Sequence, residues 1–114
     1  MRAIFLAVVL FAAGLAPAMA YDPTGRDIAT LEGDMAAGRV TSEALVKAYL
    51  ARIDSIDRSG PALQSVIAVN PNALADARKL DAERRSRHVR GPVHGIPILV
   101  KDNIETADPI PTTP

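Results

Sequence analysis

The sequence predicts an α/β fold of which it carries the opening part: N-terminal helices, then two strands joined through a further helix. Three observations predict it. Apolar residues recur at helical spacing over most of residues 27–87. Two short β-branched runs, Leu63–Val69 and Ile96–Lys101, are bounded by Gly, Pro and Asn. The resulting order, helix, helix, strand, helix, strand, ends in a strand–helix–strand unit, which places two strands parallel in one sheet. Two strands are too few for a stable sheet, and parallel strands need both faces covered. The pattern therefore reads as the start of a larger α/β domain, incomplete over these 114 residues.

Residues 1–20 read as a cleavable signal peptide. Met1-Arg2 gives a positive start, Ala3 to Ala16 is apolar throughout, and Pro17-Ala18-Met19-Ala20 supplies the small residues required before a cut after Ala20. The same stretch falls short of the roughly 20 apolar residues of a spanning helix, so a secreted or periplasmic protein is expected, with no stable membrane anchor. Residues 21–26 (YDPTGR) form an extended lead-in, and residues 27–114 form the N-terminal part of the domain.

The first helix is expected over Asp27–Ala37, with Ile28, Leu31 and Met35 on one face and Gly38 as its stop. Thr41 reads as the N-cap of a second helix, Ser42–Arg58, with Glu43 in its first turn. Leu45, Tyr49, Ile53 and Ile56 form its stripe, and Gly60-Pro61 ends it. The strand Leu63–Val69 follows. Asn70 as cap and Pro71 at the first helical position open a third helix that runs to about Arg87, with Leu74, Ala77 and Leu80 inward. Gly91-Pro92 breaks it before the strand Ile96–Lys101. The tail from Thr106 to Pro114 carries Pro109, Pro111 and Pro114 and reads as loop.

Composition narrows the function classes. The 13 basic and 13 acidic side chains balance, so no global charge points to a nucleic-acid partner. Both phenylalanines, Phe5 and Phe11, fall in the leader, which leaves Tyr21 and Tyr49 as the only aromatics beyond it. That is a thin supply for an independent core, and the chain has no cysteine to staple one. Expected of the isolated chain is therefore a poorly folded polypeptide. Cysteine-based metal sites are excluded, and His88 and His94 have neither helical spacing nor a carboxylate pattern, so no metal or cofactor is expected.

Lys101 is the residue that stands out. It closes an apolar run that should be a buried strand, and removing its charge from water costs free energy unless the site uses or pairs it. In a dry site desolvation favours the neutral amine, which accepts a proton as a general base. A lysine at a strand end can equally snorkel to solvent. On a strand Asp102 points to the face opposite Lys101, Asn103 shares its face, and Asp102 suits the turn that follows.

These residues also resemble a family. Gly91, Pro92, His94-Gly95-Ile96-Pro97, Lys101-Asp102-Asn103 and Thr106-Ala107-Asp108 are similar to the amidase signature of serine hydrolases. So are the upstream segments VIAVNPNALADARKLDAERR and VTSEALVKAYLARIDSID, and the resemblance extends from about Ile28 to Thr113. It implies an α/β/α amidase-signature fold and a Ser–cis-Ser–Lys triad. In that triad the lysine matching Lys101 acts through a bridging serine on a nucleophilic serine, which attacks a small-molecule amide and forms an acyl-enzyme. Both serines lie further along such chains, and Pro114 departs from the small-residue run that commonly follows the paired threonines. Expected here is thus a fragment that holds the base and lacks both serines, inactive alone. Ser42, Ser55, Ser59, Ser65 and Ser86 read as caps and surface positions.

Two alternatives belong to other classes. One is a noncatalytic relic or binding fragment. The other is anion or nucleic-acid binding by Arg84, Arg85, Arg87, His88 and Arg90. Those cations also suit a solvated helix C-terminus, and no aromatics are interleaved among them for base stacking.

Overall fold

The computed structural model describes residues 19–107 and 109–111. Most of the expected leader, residues 1–18, lies outside the described residues, as do Asp108, Thr112, Thr113 and Pro114. Three α-helices form: α1 (Ile28–Ala36), α2 (Ser42–Arg52) and α3 (Ala73–Arg85). A π-helical turn, Ile53–Asp57, continues α2, so the long second helix expected to Arg58 changes hydrogen-bond spacing partway. Among the described residues no helix is long and apolar enough to cross a membrane.

Local chemistry fixes the helix ends. Asp27 caps α1 by accepting the Thr30 N–H at 2.7 Å, and Thr41 caps α2 by accepting that of Ala44 at 3.1 Å. Helix α1 stops where Gly38 turns left-handed (φ +73°). There the Arg39 N–H reaches the Asp34 carbonyl at 2.8 Å and the Gly38 N–H reaches Met35 at 3.1 Å. Helix α3 closes with the same pair of bonds, His88 to Glu83 at 2.8 Å and Arg87 to Arg84 at 2.9 Å. Arg87 occupies its left-handed position at φ +62°. The start of α3 differs from expectation. Asn70 folds an Asx turn, its side-chain oxygen taking the Asn72 N–H at 2.8 Å, and Asn72 stands at the cap position. The Asn70–Pro71 pair thus delays the helix to Ala73.

Helices α2 and α3 pack together. The core is small: Leu31, Met35, Val40 and Leu45 cluster, with Tyr21, Ala44 and Ile96 against them. Leu31 and Met35 bear out the inner face of α1, but Ile28 is half exposed and lies off it. Before α1, the lead-in is tied down by Asp34. That buried carboxylate accepts the Tyr21 hydroxyl, Arg26 Nη1 at 3.1 Å and Arg39 Nε at 2.7 Å. The Tyr21 and Arg39 bonds hold Asp34 below the usual carboxylate range.

The two expected strands are not formed: among the described residues there is no strand. Ala62 and Gln64 have φ of +51°, outside β geometry, because the end of the π-turn captures the chain. Asp57 accepts the Ser65 N–H at 2.6 Å, the Ser65 hydroxyl, and the Val66 N–H at 3.2 Å. Beyond it, Ile67 is exposed, and so are Ile98, Leu99 and Val100. A strand exists by its ladder partner, and these segments supply none to each other. The α3 crossover forms without the sheet it would span.

Arg87 lends itself to a stability test. A non-glycine residue in the left-handed region is strained, whereas glycine is not. Arg87→Gly is expected to stabilise the chain by roughly 0.5–1 kcal/mol, read as a higher urea midpoint of helical circular dichroism.

Candidate active site

The segment Gly91–Ala107 carries the residues singled out from sequence, and one buried polar cluster positions its first half. The cluster begins with Asp81 on α3, 8% exposed, which reaches the start of α2. Its two oxygens accept the Ser42 N–H at 2.7 Å and the Glu43 N–H at 3.0 Å. Ser42, expected at the surface, is instead 2% exposed. Its hydroxyl donates to the Gly95 carbonyl at 2.6 Å.

A side chain at Gly95 would be crowded. A Cβ there would stand 3.0 Å from the Ser42 Cβ and 3.1 Å from its Oγ, and φ is +80°. Next to it, His94 is 4% exposed. Its Nδ1 accepts the Arg90 N–H at 3.2 Å, so Nε2 carries the proton and lies 2.9 Å from the Leu80 carbonyl. The neutral imidazole is thus used on both sides, which leaves no lone pair for a metal. Among the described residues no cluster of His, Cys, Asp or Glu is arranged to hold a metal ion.

Two members of the basic cluster, Arg84 and Arg90, are engaged in this packing. Arg84 donates to the His94 carbonyl at 2.8 Å and pairs with Glu32 at 2.9 Å. Arg90 forms a two-pronged pair with Glu83, its Nε at 2.7 Å. Arg85, Arg87 and His88 are exposed. The expectation of a solvated helix end holds for these three and fails for Arg84.

From Ile96 the chain leaves the cluster. Ile98 is 72% and Leu99 81% exposed, and Lys101 is exposed as well. The dry site expected around Lys101 is therefore not formed by the described residues, because nothing among them covers the segment leading to it. Nor does strand alternation apply at Asp102 and Asn103. A turn follows at once, closed by the Ile104 N–H on the Lys101 carbonyl at 2.9 Å. Asp102 is half-buried and Asn103 exposed.

Comparison with known proteins identifies the segment. The family model described as Amidase matches residues 44–113. The chain belongs to the amidase family. It is 49% identical to the native peptide amidase of Stenotrophomonas maltophilia, with a TM-score of 0.73 over 75% of this chain and 18% of that one. The same identity and TM-score relate it to a peptide amidase solved with the competitive inhibitor chymostatin. An amidase family protein of Bacillus anthracis is 40% identical, with a TM-score of 0.70 over 76% of this chain and 17% of that one. A Schizosaccharomyces pombe protein named for amidase activity is 40% identical over 83 residues, 73% of this chain and 14% of that protein. The chain thus spans between a seventh and a fifth of the length of these proteins, and over that span it shares the backbone of the solved ones. Lys101 lies inside the matched region, as does the whole His94–Gly95 turn.

Two outcomes check this arrangement. Gly95→Ala meets both the left-handed strain and the Ser42 contact, and should destabilise the chain by about 1–3 kcal/mol, seen as a lower urea midpoint. The second outcome concerns acid. Glu43 pairs with Lys47 at 2.7 Å and Arg78 at 3.0 Å, and these bonds take its carboxyl from 4.5 down to about 2. Hydrogen bonds from Ser65 lower Asp57 as well, and the Arg90 pair lowers Glu83. Depressed carboxylates contribute stability above their unfolded pKa and lose it as pH falls through the folded value. Helical signal should accordingly fall between pH 4.5 and about 2, with less of the loss in that window for Glu43→Gln.

Proposed function

We propose that this chain supplies the general base of an amidase that cleaves a carboxylic amide C–N bond through a serine acyl-enzyme, with Lys101 as that base. The observation that carries the reading is the family match over residues 44–113, which takes in the segment from His94 through Lys101 to Asn103. Neutral Lys101 accepts a proton from a bridging serine, which in turn takes the proton of the nucleophilic serine. That serine adds to the amide carbonyl, the C–N bond breaks, and the amine leaves with the returned proton. Water then repeats the sequence on the ester. No cofactor enters.

In this reading Asp81, Ser42 and Gly95 hold the turn from which the lysine-bearing segment departs. Ser42 itself is committed to the Gly95 carbonyl and is no nucleophile. Ser65 is committed to Asp57, and the hydroxyls of Ser55, Ser59 and Ser86 donate to backbone carbonyls on their own helix ends. Each of these hydroxyls therefore gives its proton to an oxygen and not to a basic nitrogen. The serines of the triad come from the remainder of an amidase domain, and the chain by itself is inactive. Peptide amides are the first substrates to try, since a peptide amidase is among the solved proteins it matches.

The test is a chimera. The aligned portion of the Stenotrophomonas maltophilia peptide amidase is replaced by the matching residues of this chain, and amide hydrolysis is followed. The chimera should turn over a peptide amide. Lys101→Ala should lower kcat by about 10²–10⁴-fold, the contribution of a positioned base, without loss of fold by circular dichroism. An active chimera indifferent to Lys101→Ala would remove Lys101 from the chemistry.

A further inference from the structure

We infer that the peptide bond between Ala20 and Tyr21 is a processing site, cut by an export peptidase that selects small side chains, and that Tyr21 becomes the first residue of the exported protein. This goes beyond the amide-hydrolysis reading and does not rest on it.

The packed body of the protein begins at that bond. Met19 is 95% exposed and Ala20 is exposed, with no regular structure at either. Accessible backbone of this kind is what a peptidase requires. At the next residue the character of the chain changes. Tyr21 is half-buried, packs against the Leu31–Leu45 core and donates its hydroxyl to Asp34. The Arg26 guanidinium stands 4.7 Å over its ring, and Pro23 is buried. Hydrolysis at Ala20–Tyr21 therefore leaves every one of these contacts in place. A cut after Tyr21 would strip the buried Asp34 of one of its three donors.

The sequence upstream supplies the recognition. In the extended conformation that a peptidase binds, residues two apart face the same way. Ala18 and Ala20 then enter two shallow pockets while Met19 points away, behind an apolar run and a positive start. In the reaction, water adds to the Ala20 carbonyl carbon and the C–N bond breaks. Ala20 leaves as a carboxylate and Tyr21 as an amine that takes up a proton.

The test uses the full 114-residue chain expressed in a Gram-negative host. Periplasmic, membrane and cytoplasmic fractions are read by intact mass. The expected product is a periplasmic species that begins at Tyr21. Ala20→Arg should leave the precursor uncut in the membrane fraction. Tyr21→Phe should be cut at the same bond, and its product, released from Asp34, should be digested several-fold faster by added protease. A cytoplasmic species retaining residues 1–20, a product beginning anywhere but Tyr21, or normal cutting of Ala20→Arg would overturn the proposal. Each readout is independent of amide hydrolysis.

Discussion

The Asp81 carboxylate, buried on α3, holds the start of α2 in place. The first turn of any helix leaves backbone N–H groups without intrahelical partners, and buried ones must find acceptors elsewhere. In α2 the acceptors come from two places. Thr41 takes the Ala44 N–H locally, while Asp81 takes those of Ser42 and Glu43 from the neighbouring helix. The division of labour has a consequence. Because Asp81 serves the Ser42 backbone, and Thr41 provides the local cap, the Ser42 hydroxyl is free to hold the Gly95 carbonyl. One capping arrangement thus fixes α2 on α3 and the Gly91–Ile96 turn on both. It needs glycine at residue 95, since any Cβ would crowd the space in which Ser42 sits.

The same device recurs. Asp34 gathers Tyr21, Arg26 and Arg39, and Asp57 gathers Ser65 and Val66. Asp34, Asp57 and Asp81 are all buried, and each joins a helical residue to chain outside its own helix. Burial of an unpaired carboxylate would be costly, so each is surrounded by donors. With a core of a few Leu, Met and Val side chains and two tyrosines beyond residue 20, apolar burial alone gives little positional specificity. Directional bonds to buried acids fix the relative placement that aromatic packing supplies in richer cores. At Asp34 and Asp57, whose carboxyls these bonds hold low, the design also makes the joints acid-sensitive, since protonation removes acceptor capacity.

What could be read from the sequence follows from this division between local and distant partners. The Thr41 cap, the Gly38 stop, the inner face of Leu31 and Met35, and the core position of Leu45 depend on residues within a turn or two, and all were legible. The Ser42–Asp81 and Ser42–Gly95 bonds join residues 39 and 53 positions apart. A serine after a capping threonine looks like a surface position until its partner is known. A signal did exist: a lone aspartate, Asp81, on the inner face of α3 in register with Leu74 and Ala77 is out of place unless it meets donors. Arg87 at a left-handed helix end has no sequence mark at all. The strands failed for a different reason. Leu63–Val69 and Ile96–Lys101 have the right residue types, but sheet pairing is not a property of one segment, and Asp57 bends the first of them into positive φ before it can extend.

The exposed Lys101 is the same argument applied to chemistry. Water favours the ammonium form of a lysine, and an ammonium cannot accept a proton. A base in this position must therefore be dried by groups that cover the Ile98–Val100 run on both faces. Those side chains are the complementary half of such a cover: apolar, contiguous, and carried on backbone that has no ladder partner among the described residues. Burying them would draw Lys101 out of solvent by the same step that completes a sheet. On the proposed reading of Lys101 as the base, folding and activation of that base would be one event. The Asp81–Ser42–Gly95 joint fixes where that run emerges from the helical layer.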